Sequence, residues 1–287
     1  GQSAGELSTD FTLTPPSDIR PPVDCRDALL DLALVAGYRD LLRTRGVGRI
    51  IAAQLVARFP AGMISLAVLL HVEHITGSYG AAGLVLAATS IGQAVAGPVT
   101  SRWMGIWGMR RVLTLTTLVC AASISTLGLV PMPLPGYMVL GLLSGLSSPP
   151  VQAAVRTIYP KMVNSRQLTP LFSLDASAQE IIWVIAPVVT TFVAMQVGTV
   201  QAIMLIVVIM LGGGTWFITS PELGRVRIPR SRGGIGKVLA KPPVLLATVI
   251  GFLLIGGCAA LEAGVVATFR EGGLEAGLVL AVFSLGS

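Results

Sequence analysis

Apolar residues run along this chain in eight stretches of helix length, separated by short polar segments. They lie at about 48–71, 79–101, 110–130, 134–155, 171–195, 199–219, 243–264 and 275–287. Each complete stretch is near the ~20 residues a helix needs to cross a hydrocarbon layer. Before them, residues 1–26 are polar and Pro-rich, with Pro15-Pro16 and Pro21-Pro22, and predict a disordered tail. Residues 27–47 alternate Leu29, Leu30, Leu34, Leu41 and Leu42 with Asp27, Asp31, Arg39 and Arg43, the pattern of an amphipathic helix lying in a membrane interface.

One stretch recurs. Ala82-Gly83-Leu84-Val85-Leu86-Ala87 and Ser90-Ile91-Gly92 return, with the same internal spacing, as Ala276-Gly277-Leu278-Val279-Leu280-Ala281 and Ser284-Leu285-Gly286. Internal repetition in an apolar chain predicts two similar helical bundles in parallel order. Aligned on the repeat, spans one and two match spans seven and eight. Residues 48–219 then form a first six-helix bundle, 220–242 a basic linker, and 243–287 the first two helices of a second bundle expected to continue past Ser287.

Composition strengthens the membrane reading. Hydrophobic residues are 53% and charged residues 12% of the chain, and mean hydropathy is +0.79. A soluble domain carries about twice that charged fraction. The fold class is therefore an all-α polytopic membrane protein. A net charge of +6 and a pI near 9.7 suggest nucleic acid only until the charges are placed. Nearly all of the 20 Lys and Arg precede span one or fall between spans two and three, four and five, or six and seven. The positive-inside rule makes the N-terminus and those loops cytoplasmic, in a multi-pass protein of the cell membrane. No aromatic-interleaved basic patch points to nucleic acid. Cys25, Cys120 and Cys258 are too scattered for a disulfide framework or a CxxC metal site.

Small residues predict where helices touch. Gly141 and Gly145 form a GxxxG in span four, and Ala88, Gly92 and Ala96 a small-residue row in span two. Pro60, Pro149-Pro150 and Pro187 predict kinks.

Ionisable groups inside spans mark function or a structural ion pair. Arg58 lies roughly 15 Å along span one, and Glu180 roughly 18 Å into span five if that helix starts near 168. Equal depth predicts that they pair or share a wet cavity. Asp175, about 10 Å in, is the second candidate partner. The functional reading is a proton-coupling carboxylate, and the alternative is an ion pair that fixes packing. Gln54, Gln93 and Gln152 are candidates for hydrogen bonding a substrate, or for joining helices. Glu262 reads as a solvated helix end near Arg270. His71, Glu73 and His74 share the outer end of span one, but two imidazoles and a carboxylate do not close a metal site.

Six spans, a basic linker and a second bundle resemble the major facilitator superfamily, from about residue 40 onward. That family carries Gly-x-x-x-Asp-Arg-x-Gly-Arg-Arg between spans two and three. Here Gly108 and the Arg110-Arg111 pair match the signature loop. Gly105 stands where the Asp belongs and Ile106 where the first Arg belongs, so the loop lacks two charged residues of the latch ascribed to it in that family. Ser220-Pro221-Glu222-Leu223-Gly224-Arg225 is similar to the family's Pro-Glu-Ser-Pro-Arg ending after span six, and Ala186-Pro187 sits where antiporter branches carry Gly-Pro. Ala57-Arg58-Phe59-Pro60-Ala61-Gly62 resembles bacterial efflux permeases. The resemblance implies a secondary transporter moving a small solute by alternating access, with a substrate site between bundles. Efflux and proton coupling are further expectations, and no cofactor is implied. Two other classes compete: a transporter-fold protein with a signalling or assembly role, and an intramembrane enzyme. No GxxxxGK[ST], HExxH or GxSxG motif supports ATP use or hydrolysis.

Overall fold

A computed structural model describes residues 46–225, 242–251, 253, 254 and 257. The predicted tail, the interfacial helix up to Arg45, most of the basic linker, and the second copy of the repeat lie outside these residues, as do Cys25, Cys258 and Glu262. The chain divides into a unit over Gly1–Ile228 and a second over Pro229–Ser287. Of the second unit, the apolar helix Pro242–Gly251 is described, with Leu245, Leu246, Val249 and Ile250 exposed along it.

The first unit is built from α1 (Val47–Thr76), α2 (Tyr79–Trp107), α3 (Met109–Leu129), α4 (Leu134–Leu146), α5 (Val151–Met162), α6 (Ser165–Gln196), α7 (Thr199–Thr219) and the single turn α8 (Pro221–Arg225). Among the described residues, six spans have the length and apolarity to cross a membrane, α4 and α5 together making one over Leu134–Met162. The predicted bundle of six is thus present, with helices that overrun several predicted ends. Large apolar side chains such as Ile91, Leu118, Val188 and Phe192 are exposed. Water would reject that surface, whereas hydrocarbon accepts it.

Local signals explain the turns. Ser78 caps α2, its hydroxyl accepting from the Ala81 N–H at 3.3 Å. Gly108 separates α2 from α3 with φ +88°, a conformation that L side chains rarely adopt. Nothing lies within 4 Å of a Cβ placed there, so the requirement is conformational rather than spatial. Pro149-Pro150 break span four into α4 and α5, as two consecutive rings without N–H groups should. Pro60 and Pro187 instead sit inside uninterrupted helices.

The short turns make consecutive spans antiparallel. α1 packs chiefly on α7 and α6, α2 on α4, and α3 on α7 and α4. Gly92 and Gly145 show how closely α2 and α4 cross. A Cβ at Gly145 would run into the Thr89 carbonyl, and one at Gly92 into the Leu142 carbonyl. The core has two apolar parts. One gathers Met63, Val68, Ile124, Leu127, Ile203 and Ile206. The other gathers Ile50, Val112, Leu113, Ile158, Leu171 and Phe217, toward the opposite end of the bundle. Between them on α1 lie Gln54 and Arg58.

Candidate functional site

A buried polar cluster occupies that boundary. Gln54 and Arg58 are one turn apart on α1, so both face α6. Asp175 of α6 meets them. The Arg58 guanidinium donates from Nη1 to Asp175 Oδ1 at 3.1 Å and to Oδ2 at 3.2 Å. Gln54 Nε2 donates to Oδ1 at 2.7 Å, and Arg58 Nη1 also donates to Gln54 Oε1 at 2.9 Å. The Tyr159 hydroxyl of α5 donates to Asp175 Oδ1 at 3.2 Å, and its ring meets Phe172 edge-on. Arg58 and Asp175 are each 7% exposed. A pair this dry persists only because each charge is compensated and hydrogen-bonded.

This geometry corrects the expected Arg58–Glu180 pairing. Glu180 is exposed and forms no ion pair among the described residues. Five residues of α-helix turn through about 140° beyond one full circle, so α6 cannot aim Asp175 and Glu180 at the same neighbour. Depth along the helix allowed either carboxylate, and helix phase selects Asp175.

Beside the cluster is a cavity of about 210 Å³, whose wall includes Arg58, Gln93, Ser148, Gln152, Gln179 and Trp183. Arg58 thus belongs both to the ion pair and to the cavity wall. Of the three candidate glutamines, Gln93 and Gln152 line this cavity, while Gln54 is committed to Asp175 and Arg58. Gln179 was not expected. It stands one turn after Asp175, and its Oε1 is buried without a hydrogen-bond partner. Tyr159 was also missed, because beside Pro160 near a helix end it reads as an interfacial tyrosine. A polar residue one turn from an intramembrane acid was the available signal for Gln179.

The signature loop lies at the end of the bundle where every described Lys and Arg except Arg58 is found. Arg110 donates to the Ser220 carbonyl at 3.0 Å, closing the end of α7. Its guanidinium also packs over Gly224, where an added Cβ would meet Nη2 at 3.0 Å. Arg49, at the start of α1, pairs with Glu222 of α8. No described contact involves a carboxylate of the loop itself, since Gly105 replaces it. Arg111 is exposed. The clasp at this end therefore runs through Arg110 and Arg49 to the segment after α7.

Residues 50–287 match the Major Facilitator Superfamily. The match covers most of the chain, and the protein belongs to that family. It is accordingly a polytopic membrane protein of a class of secondary transporters of solutes, and not of a class of enzymes. No curated protein matches the chain.

Proposed function

We propose that this protein is a proton-coupled exporter of a small organic solute in the cell membrane, working by alternating access. Asp175 is the coupling carboxylate, and Gln93, Gln152 and Gln179 contact the solute. The observation that supports this reading most is the double position of Arg58, ion-paired to Asp175 and lining the cavity. Protonation of Asp175 removes the charge that compensates Arg58. The guanidinium must then find another partner, and the cavity beside it offers one: solute or water. Proton occupancy and solute occupancy are so linked through one side chain, and the linkage is reciprocal by thermodynamic necessity. Efflux rests on the likeness of Ala57–Gly62 to bacterial efflux permeases. The crowding of basic residues at the signature-loop end supports a cytoplasmic placement of that end and of the N-terminus.

The test uses everted vesicles carrying the full chain, screened against a panel of fluorescent organic solutes under an imposed proton gradient. Accumulation collapsed by a protonophore is expected. Asp175→Asn should abolish gradient-driven accumulation while retaining solute exchange at equilibrium. Accumulation that persists in Asp175→Asn, or ignores the gradient, would reject Asp175 as the coupling group.

A further inference from the structure

The guanidinium of Arg58 is unevenly used. Its hydrogen bonds all leave from Nη1, to both oxygens of Asp175 and to Gln54 Oε1. Among the described residues, Nη2 and Nε donate to none. Asp175 is supplied more fully. Besides Arg58, Gln54 donates to its Oδ1 at 2.7 Å and Tyr159 at 3.2 Å. The carboxylate is thus held from several sides, while the cation that pairs with it keeps unused donors at 7% exposure. Buried N–H groups of a charged side chain are costly to leave without an acceptor. Arg58 also lines the cavity of about 210 Å³, and Asp175 does not. Among the described residues, the cavity wall carries no other charged side chain, so the charge it presents is positive.

We propose that the solute held in this cavity carries a carboxylate, which Arg58 grips through Nη2 and Nε. The proposal rests on the reading of the cavity as the solute site and names the class of solute. Nη2 and Nε share one edge of the planar guanidinium. That edge matches a carboxylate with two parallel N–H···O bonds. Nη1 meanwhile keeps Asp175. One guanidinium then joins two carboxylates, one from α6 and one from the solute, and neither contact has to break for the other to form. Gln54 and Tyr159 make this possible, because Asp175 does not depend on Arg58 alone. The side-chain amides of Gln93 and Gln152 lie in the same wall and add N–H donors. A cationic solute meets repulsion there with no lining acid to offset it, and a neutral one forgoes the charge assistance. Trp183, also in the wall, is a partner for a ring on the solute.

The test measures equilibrium binding to the full chain in detergent by saturation-transfer NMR. Its probes are benzoate, benzamide and benzylamine, which share a ring and differ chiefly in charge. Benzoate should bind about ten-fold tighter than benzamide, the difference a charge-assisted contact makes, and benzylamine should bind most weakly. Arg58→Met/Asp175→Leu removes both charges together and should bring benzoate down to the level of benzamide. Arg58→Lys keeps the charge opposite Asp175 but gives up the planar edge, and should shrink the preference for benzoate. Glu180→Gln should leave all three affinities unchanged, because Glu180 does not line the cavity. Benzoate that binds no tighter than benzamide, or not at all, overturns the proposal. So does an undiminished preference in either Arg58 variant of unchanged elution profile. Binding is read without a gradient, so a failure of proton coupling leaves this result standing. A failure of benzoate to bind leaves gradient-driven accumulation of an uncharged solute standing in turn.

Discussion

Arg58 and Asp175 each hold the other in a place where neither could stay alone. Removing one leaves an uncompensated buried charge, which costs more than the pair itself contributes. Asp175→Asn or Arg58→Met alone should therefore destabilise the bundle by about 3 kcal/mol, read as a fall in the thermal unfolding midpoint in detergent. The double variant Arg58→Met/Asp175→Leu should recover most of that loss, because no charge remains to be solvated. A double variant as unstable as the sum of the singles would show that the two groups act independently. Tyr159→Phe deletes one of the hydrogen bonds to Oδ1 and should cost about 1 kcal/mol. Glu180→Gln should change stability by less than about 0.5 kcal/mol, since its carboxylate makes no described contact. Only the residue types and the depth of this cluster were legible in the sequence. The choice of Asp175 over Glu180 depends on which way α6 is rotated. That rotation is set by packing of Gly62 on Ala186 and Ile182, contacts that no spacing within one helix reveals.

At the scale of elements the sequence was more informative, because its signals there are local. Apolar length predicts each span, and charge in alternate loops predicts its direction. Two adjacent prolines predict a kink in span four, and the structure goes further, dividing it into α4 and α5. The GxxxG of α4 marked a close approach, but its partner helix lay beyond reach of the pattern. The structure places the row of α2 there, with Gly92 against Leu142 and Gly145 against Thr89. Backbone cannot step aside as a side chain can. Gly145→Ala should accordingly cost about 1–3 kcal/mol through forced separation of α2 from α4. Gly212 in α7 is the internal comparison, since nothing lies within 4 Å of a Cβ there. Gly212→Ala should be neutral or slightly stabilising, by the gain in helix propensity. Equal effects at the two glycines, measured as thermal midpoints, would mean that propensity and not the crossing decides.

At the scale of the bundle, the basic end is tied together by contacts from two elements, α1 and α3, to the segment after α7. The family signature would place a carboxylate in the loop between spans two and three. This chain has Gly105, and it carries the acid elsewhere, as Glu222. Two contacts of different kinds result, and they should respond differently. The Arg49–Glu222 pair is half exposed on its arginine side, 48% against 11%, so its contribution should be below about 1 kcal/mol and should fall with ionic strength. Arg110 instead satisfies the Ser220 carbonyl at the end of α7, a charge-assisted hydrogen bond that salt screens less. Glu222→Gln should therefore lower the thermal midpoint at low salt, with the difference vanishing near 1 M, where the screening length is about 3 Å. Arg110→Ala should cost about 1.5 kcal/mol or more at both salt concentrations, because it also strips the cover from Gly224. If both variants lost their effect in high salt, the clasp would be a general attraction between basic helix starts and one acid. A salt-independent loss confined to Arg110→Ala would instead identify the carbonyl contact as what fixes the end of the six-helix bundle to its signature loop.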